Sequence, residues 1–189
     1  MISNRIQNKI FLGVFIMETH KACSFFGHRD VKETANLKAR LKSVIVKLIE
    51  SENVNVFLFG SRSTFDLLCH NIVTNLKTKY PQIQRRAYTC RSETCTLEKE
   101  RAYWEEIYSH VKKHPVTLLG VEEEIEHKTK WTSGKAQYVE RNQAMINDSD
   151  FCVFYYDKNY VPLSKSKSGT KIAYEYALRK KKNIINLFK

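Results

Sequence analysis

Glycine and proline are scarce, at six and three residues in a chain of 189. There is no Gly/Ser-, Gln/Asn- or Pro-rich tract either, so the sequence offers no collagen-like repeat, flexible linker or long disordered arm. Self-similarity at the periods of solenoids, propellers and helical arrays is also missing, which leaves one non-repeating unit. No apolar run approaches the ~20 residues needed to cross a bilayer. The run Ile10 to Met17 follows Arg5 and Lys9 and superficially resembles a signal peptide, but it lacks a small-x-small cleavage site. Residues 1–16 therefore read as an extension or a misassigned start, and residues 17–189 as a single domain. Neither G-x-G-x-x-G nor G-x-x-x-x-G-K-[ST] occurs, which argues against an ordinary dehydrogenase or P-loop ATPase.

Acidic residues are also short, at 20 against 32 Lys and Arg, for a formal charge of +12. Residues 165–189 hold eight basic side chains against the single acid Glu175. Arg179, Lys180, Lys181 and Lys182 at a helix end form a solvated face that complements the helix dipole, or else attract phosphates, free or polymeric. The five cysteines, Cys23, Cys69, Cys90, Cys95 and Cys152, are odd in number and partly embedded in apolar runs. That pattern reads as buried free thiols in a reducing, cytoplasmic setting.

What is present is an alternation of short apolar runs with longer amphipathic stretches, the mark of βα units around a parallel sheet. The fold class expected is α/β, a Rossmann-like three-layer sandwich with a mostly parallel sheet. Strands are expected at Lys21 to Phe26, Asn55 to Phe59, Gln84 to Thr89, Val116 to Leu119, Phe151 to Tyr155 and Asn183 to Leu187. Helices are expected at Asn36 to Ser51, Thr64 to Lys79, Glu98 to Lys112, Lys135 to Asn147 and Thr170 to Lys181. The acidic stretch Val121 to Gly134 reads as an exposed loop or short helix.

Gly27, Gly60 and Gly120 each follow an expected strand and Gly169 opens a helix, at the rim where open α/β sheets bind ligands. Glycine there allows backbone N–H groups to approach a phosphate, and a helix N-terminus adds its dipole. Three loops carry the candidate chemistry: Gly27-His28-Arg29-Asp30, Gly60-Ser61-Arg62-Ser63-Thr64-Phe65-Asp66 and Ser166-Lys167-Ser168-Gly169-Thr170-Lys171. Arginine suits bidentate phosphate recognition. Asp66 or Thr64 can equally be a helix cap, and the glycines can be ordinary turn residues.

The strand ends CSFFGHRD and FGSRSTFD, with YVERNQAMINDSDFCVFYYD and KSGTKIAYEYALRKKKNIINL, resemble the SLOG superfamily, which takes in the Smf/DprA and LOG-like proteins. The likeness spans Lys21 to Leu187 and lies nearest its small stand-alone bacterial and phage branch. It implies a Rossmann-like nucleotide pocket with Gly27, His28, Arg29, Gly60, Ser61, Arg62, Ser63, Asp66, Arg141, Asn142, Ser168, Gly169 and Thr170 as ligand-binding residues. LOG-type enzymes share E-R-x-x-x-M and P-G-G-x-G-T-x-x-E, whose Arg and last Glu assist N-glycosidic cleavage. Glu140, Arg141 and Met145 match the first, which would make Arg141 the catalytic residue. Gly169 and Thr170 match part of the second, but Ser166 and Lys167 replace the paired glycines and Ala173 stands at the catalytic Glu, with Glu175 two residues on. The usual second glycine of the G-x-x-x-G-F-D phosphate loop is replaced by Thr64.

The leading expectation is a sensor or binding domain for a nucleotide-derived ligand, with no cofactor and no membrane partner. The alternatives are a phosphoribohydrolase and a DNA-processing-type nucleic-acid binder, and homo-oligomerisation stays open. Cys90-x4-Cys95-x14-His110-x3-His114 approaches zinc-finger spacing, but Trp104, Ile107 and Tyr108 between the pairs read as a packing helix, so no metal is expected. Tyr155, Tyr156 and Tyr160 follow the central strand. Packing is the default role for each, and base stacking is an alternative for Tyr156.

Overall fold

The computed structural model describes residues 20–28, 31–60, 63–90, 120–128, 130, 134–161 and 168–188. Residues 1–16, Arg29, Ser61, Arg62, Ser166, Lys167, the helix expected at 98–112, the strand expected at 116–119, and Cys95, His110 and His114 lie outside them.

In chain order the elements are β1 (Lys21–Gly27), α1 (Ala35–Glu52), β2 (Val54–Phe59), α2 (Thr64–Leu76), β3 (Gln84–Cys90), β4 (Glu123–His127), α3 (Gly134–Asn147), β5 (Phe151–Tyr155), α4 (Gly169–Arg179) and β6 (Asn183–Asn186). The six strands form one sheet in the order β4-β3-β2-β1-β5-β6, with every pairing parallel. The fold is thus a Rossmann-like α/β sandwich, and its sheet is wholly parallel among the described strands.

Period-two alternation divides the strand residues between two cores. On one face Cys23, Phe25, Phe57, Phe59 and Val153 meet Leu41, Ile45 and Leu48 of α1 and Phe65, Leu68 and Val73 of α2. On the other, Ala22, Phe26, Val56, Leu58, Cys152 and Phe154 meet Met145 and Ile146 of α3 and Ala173 and Ala177 of α4. Burial on both faces is why β5 reads as an unbroken apolar run and β1 and β2 as nearly so. Phe25 stacks between Phe57 at 6.0 Å and Phe59 at 5.4 Å, each ring contributing about 1.5–3 kcal/mol by leaving water. Cys23, Cys69, Cys90 and Cys152 are all buried, and Cys23, Cys69 and Cys152 are free thiols, as expected.

β4 corrects the reading of its segment as a loop or helix. Its sequence, EEIEH, has almost no apolar signal because it is an edge strand, and edge strands commonly carry charge that discourages further pairing. Glu123 pairs with Arg86 and Glu122 with Arg85 and Lys77, so the charges that hide the strand also fasten its start to β3 and α2.

The basic run after α4 also does more than face water. Lys182 Nζ donates to the carbonyls of Asn147 at 2.9 Å and Ser149 at 2.6 Å, closing the C-terminal end of α3 rather than of its own helix. Lys182→Met is therefore expected to cost about 1–2 kcal/mol, seen as a lower urea midpoint, while Lys180→Met and Lys181→Met at exposed positions change it little. Equal effects of all three would assign Lys182 to general surface charge.

Candidate functional site

The strand order reverses at β1: the chain steps outward through β2, β3 and β4, then returns to place β5 on the other flank of β1. The crevice beyond the C-terminal ends of β1 and β5 is the topological switch point, where open parallel sheets bind their ligands.

His28 leaves β1 into this crevice and is 6% exposed. Its Nε2 accepts the Asp157 backbone N–H at 3.1 Å, which puts the proton of the neutral ring on Nδ1, a buried atom with no hydrogen-bond partner among the described residues. Burial lowers the His28 pKa from its ordinary value, against the opposing pull of the Asp157 carboxylate and backbone, so the ring is neutral near pH 7. Tyr160 lies over the ring with centroids 4.0 Å apart, and Tyr156 stands at 6.0 Å. Tyr156 continues the aromatic row to Tyr174 of α4 at 4.8 Å. Asn186 holds the Tyr156 backbone from both sides, accepting its N–H at 3.0 Å and donating to its carbonyl at 2.9 Å.

The start of α4 docks on the same strand end. Thr170 Oγ1 donates to the Gly27 carbonyl at 2.8 Å, and Ser168 caps the helix by accepting the Lys171 N–H at 3.0 Å. With that one donor satisfied, the helix itself provides no acceptor for the N–H groups of Gly169 and Thr170. A Cβ built on Gly169 would meet none of the described residues within 4 Å. The helix therefore presents open donors and the positive end of its dipole beside the switch point, an arrangement suited to an anion.

A second group sits one strand away, at the end of β2. A Cβ on Gly60 would lie 3.0 Å from both Arg141 Nη2 and Asp66 Oδ2. Two such approaches to one point put the guanidinium and carboxylate within about 6 Å of each other. Arg141 reaches there from α3, is 5% exposed, donates to Asn142 Oδ1 at 3.1 Å and lies 5.4 Å from the Tyr138 ring. Asp66, also 6% exposed, stands in the first turn of α2, where Ser63 Oγ accepts its backbone N–H at 3.0 Å.

Of the residues singled out in the sequence, Gly27, His28, Ser168, Gly169 and Thr170 come together at the switch point. Gly60, Ser63, Asp66, Arg141 and Asn142 gather around β2 and its flanking helices. Arg29, Ser61 and Arg62 fall outside the described residues. The three glycines have different causes. Gly27 is required by packing, since a Cβ there would fall 2.6 Å from Phe65 Cδ1 and closer still to Phe65 Cβ and Cγ. Gly60 makes room for Arg141 and Asp66, and Gly169 is left open among the described residues.

Sequence reading passed over Gln137, Asp157 and the pairing of Tyr160 with His28. Gln137, 2% exposed, lies four residues before Arg141 and so on the same helix face, a spacing that could have drawn attention to it. The contacts of Asp157 and Tyr160 with His28 span more than 120 residues of chain, and nothing local announces them.

No curated protein matches the chain. The solved structure of DNA processing protein A from Helicobacter pylori, described for its single-stranded DNA binding mode, aligns with 87% of this chain at a TM-score of 0.50 and 12% identity. This chain spans 63% of the length of that one, and at such identity the likeness speaks for the fold alone. The sequence matches the YspA SLOG family across residues 19–188, and the chain belongs to that family.

Proposed function

We propose that the chain binds a small nucleotide-type ligand at the switch point, with a phosphate received by the first turn of α4. The observation that carries this reading is the N-terminus of α4, anchored to the end of β1 by Thr170 and unobstructed over Gly169 by any of the described residues. His28 and the Gly60, Asp66 and Arg141 group line the same rim. Binding, rather than hydrolysis, fits the residues present: Ala173 occupies the position of the LOG-type acid and is 2% exposed, packed against the sheet. Glu175, two residues on, lies about 200° round the helix and serves a different face.

Calorimetric titration with AMP tests the reading. The wild-type protein is expected to bind it, and Gly169→Val to weaken binding about 10-fold or more with little change in melting temperature, because a phosphate on exposed helix donors tolerates no branched side chain over them. Undiminished affinity in Gly169→Val would remove α4 from the site, and no binding of AMP by the wild type would remove the reading.

A nucleic-acid reading is supported by the fold likeness to a protein described as binding single-stranded DNA and by the exposed Arg179, Lys180 and Lys181. These cations stand at the far end of α4, about 16 Å along an 11-residue helix from Gly169 and at the opposite edge of the sheet. The two readings therefore separate. Oligonucleotide binding that falls steeply with salt and weakens in Lys180→Gln/Lys181→Gln, with Gly169→Val unaffected, would favour the polymer.

A further inference from the structure

The turn that follows β5 is built on His28 at both of its ends. At its start the Asp157 N–H donates to His28 Nε2, and at its finish the Tyr160 ring lies over the imidazole at 4.0 Å, tilted by 30°. Between them the turn closes on itself, with the Tyr160 N–H donating to the Asp157 carbonyl at 3.2 Å and the Asn159 N–H to Asp157 Oδ1 at 2.8 Å. Tyr160 nevertheless belongs to neither core. It is 44% exposed, and Val161 beside it is 79% exposed. A large aromatic ring placed at a ligand-binding rim, set against a buried imidazole and partly open to water, is an amphipathic surface of the kind that receives another flat ring.

Its position relative to the helix terminus adds to this. His28 adjoins Gly27, whose carbonyl accepts the Thr170 hydroxyl in the first turn of α4. The aromatic pair and the open helix donors are thus neighbours across one strand end. A ligand whose anion sits at Gly169 would carry the rest of its body toward His28 and Tyr160.

Resting on the nucleotide reading above, we propose that the ligand carries a planar heteroaromatic base and that this base stacks on His28 with Tyr160 closing over its other face. Admitting the base requires the Tyr160 ring to back away by about one ring thickness, ~3.5–4 Å, which its exposed position permits. Tyr160 is then the residue that separates base-bearing ligands from bare sugar phosphates. Stacking of one base on an aromatic side chain corresponds to an affinity change of about 10-fold to 100-fold.

The experiment is a comparison of AMP, ribose 5-phosphate and 2-aminopurine riboside 5′-monophosphate on the wild type, Tyr160→Ala, Tyr160→Phe and Gly169→Val. The wild type is expected to bind AMP at least 10-fold more tightly than ribose 5-phosphate and to quench 2-aminopurine fluorescence, as stacking does. Tyr160→Ala should lose most of that preference and of the quenching at an unchanged melting temperature, and Tyr160→Phe, which keeps the ring, should retain both. Equal wild-type affinities for AMP and ribose 5-phosphate, both lost in Gly169→Val, would overturn the stacking inference and leave the phosphate site standing. Failure of every compound to bind would overturn both.

Discussion

Gly27→Ala is expected to destabilise the protein by about 2–3 kcal/mol, lowering the melting temperature by roughly 5–10 °C for a chain of this size. The added methyl would arrive within 2.6 Å of Phe65 Cδ1 and even nearer to Phe65 Cβ and Cγ. Two of those atoms belong to the ring, and the third is tied to the α2 backbone, so the clash cannot be relieved by turning a flexible side-chain end. Phe65 is itself wholly buried and packs on Tyr155 at 5.8 Å, which closes the alternative of shifting its ring. The strand would have to part from the helix, yet the Val31 N–H donating to Thr64 Oγ1 at 2.9 Å fastens the chain beyond β1 to that same first turn. Alanine restricts the unfolded chain and returns about 0.4–1 kcal/mol, too little to change the sign. Thermal unfolding followed by circular dichroism measures the effect. In the double variant Gly27→Ala/Phe65→Leu, the smaller side chain should make the combined loss less than the sum of the single losses. Wild-type stability in Gly27→Ala would mean that β1 and α2 are not in such close contact.

That prediction turns on something the sequence could not supply. Gly27, Gly60 and Gly169 look alike as residues at strand or helix ends, and one explanation, backbone approach to a phosphate, covers all three. What differs is the element that crosses each position, and this is decided by tertiary packing: Phe65 presses on Gly27, the Arg141 and Asp66 side chains close on Gly60, and none of the described residues approaches Gly169. The hydroxyls behave similarly. Ser63 and Ser168 serve as helix caps and Thr170 as a tie to β1, local roles that a phosphate-cradle reading of the same residues does not distinguish.

The architecture was more legible, because burial on both faces writes itself into composition. Phe151 to Tyr155 is apolar throughout and Val54 to Phe59 is interrupted only by Asn55, and Leu37, Leu41, Ile45 and Leu48 mark the inner face of α1 at helical spacing. β4 was illegible for the converse reason. Its acidic residues face water at the sheet edge, only Ile125 turns toward a core, and its pairing is read only from Arg85 and Arg86 opposite. The crevice itself follows from strand order, which puts His28 and Asp157 together although 129 positions separate them.

The second large effect concerns pH and a histidine outside the site. His70 of α2 is 2% exposed and set edge-on to Phe59 at 5.1 Å. Neither ring nitrogen makes a well-formed hydrogen bond to the described residues. Burial first, and the Arg85 guanidinium second, push its pKa down to about 4, with the Gly120 carbonyl and the Glu122 carboxylate offsetting only part. Above pH 6.5 the ring is neutral in both folded and unfolded chains, and its contribution to stability is fully present. As pH falls from 6.5 toward 4, the unfolded chain takes up a proton that the folded one refuses, so stability is lost in that window and no further below it. Between pH 7 and pH 5 the loss should be about 2 kcal/mol. His28, also depressed by burial, adds in the same direction. Glu122 blurs the measurement little: burial alone would raise its carboxyl, but bonds from Arg85 and Lys77 overcome this and hold it at about 2, and its unfolded counterpart, titrating at about 4.5, is still mostly ionised at pH 5. Urea unfolding at pH 7 and pH 5 should therefore show a clear drop in midpoint for the wild type and a much smaller one for His70→Phe, whatever that variant's absolute stability. An identical pH dependence in the two proteins would show that another group refuses the proton.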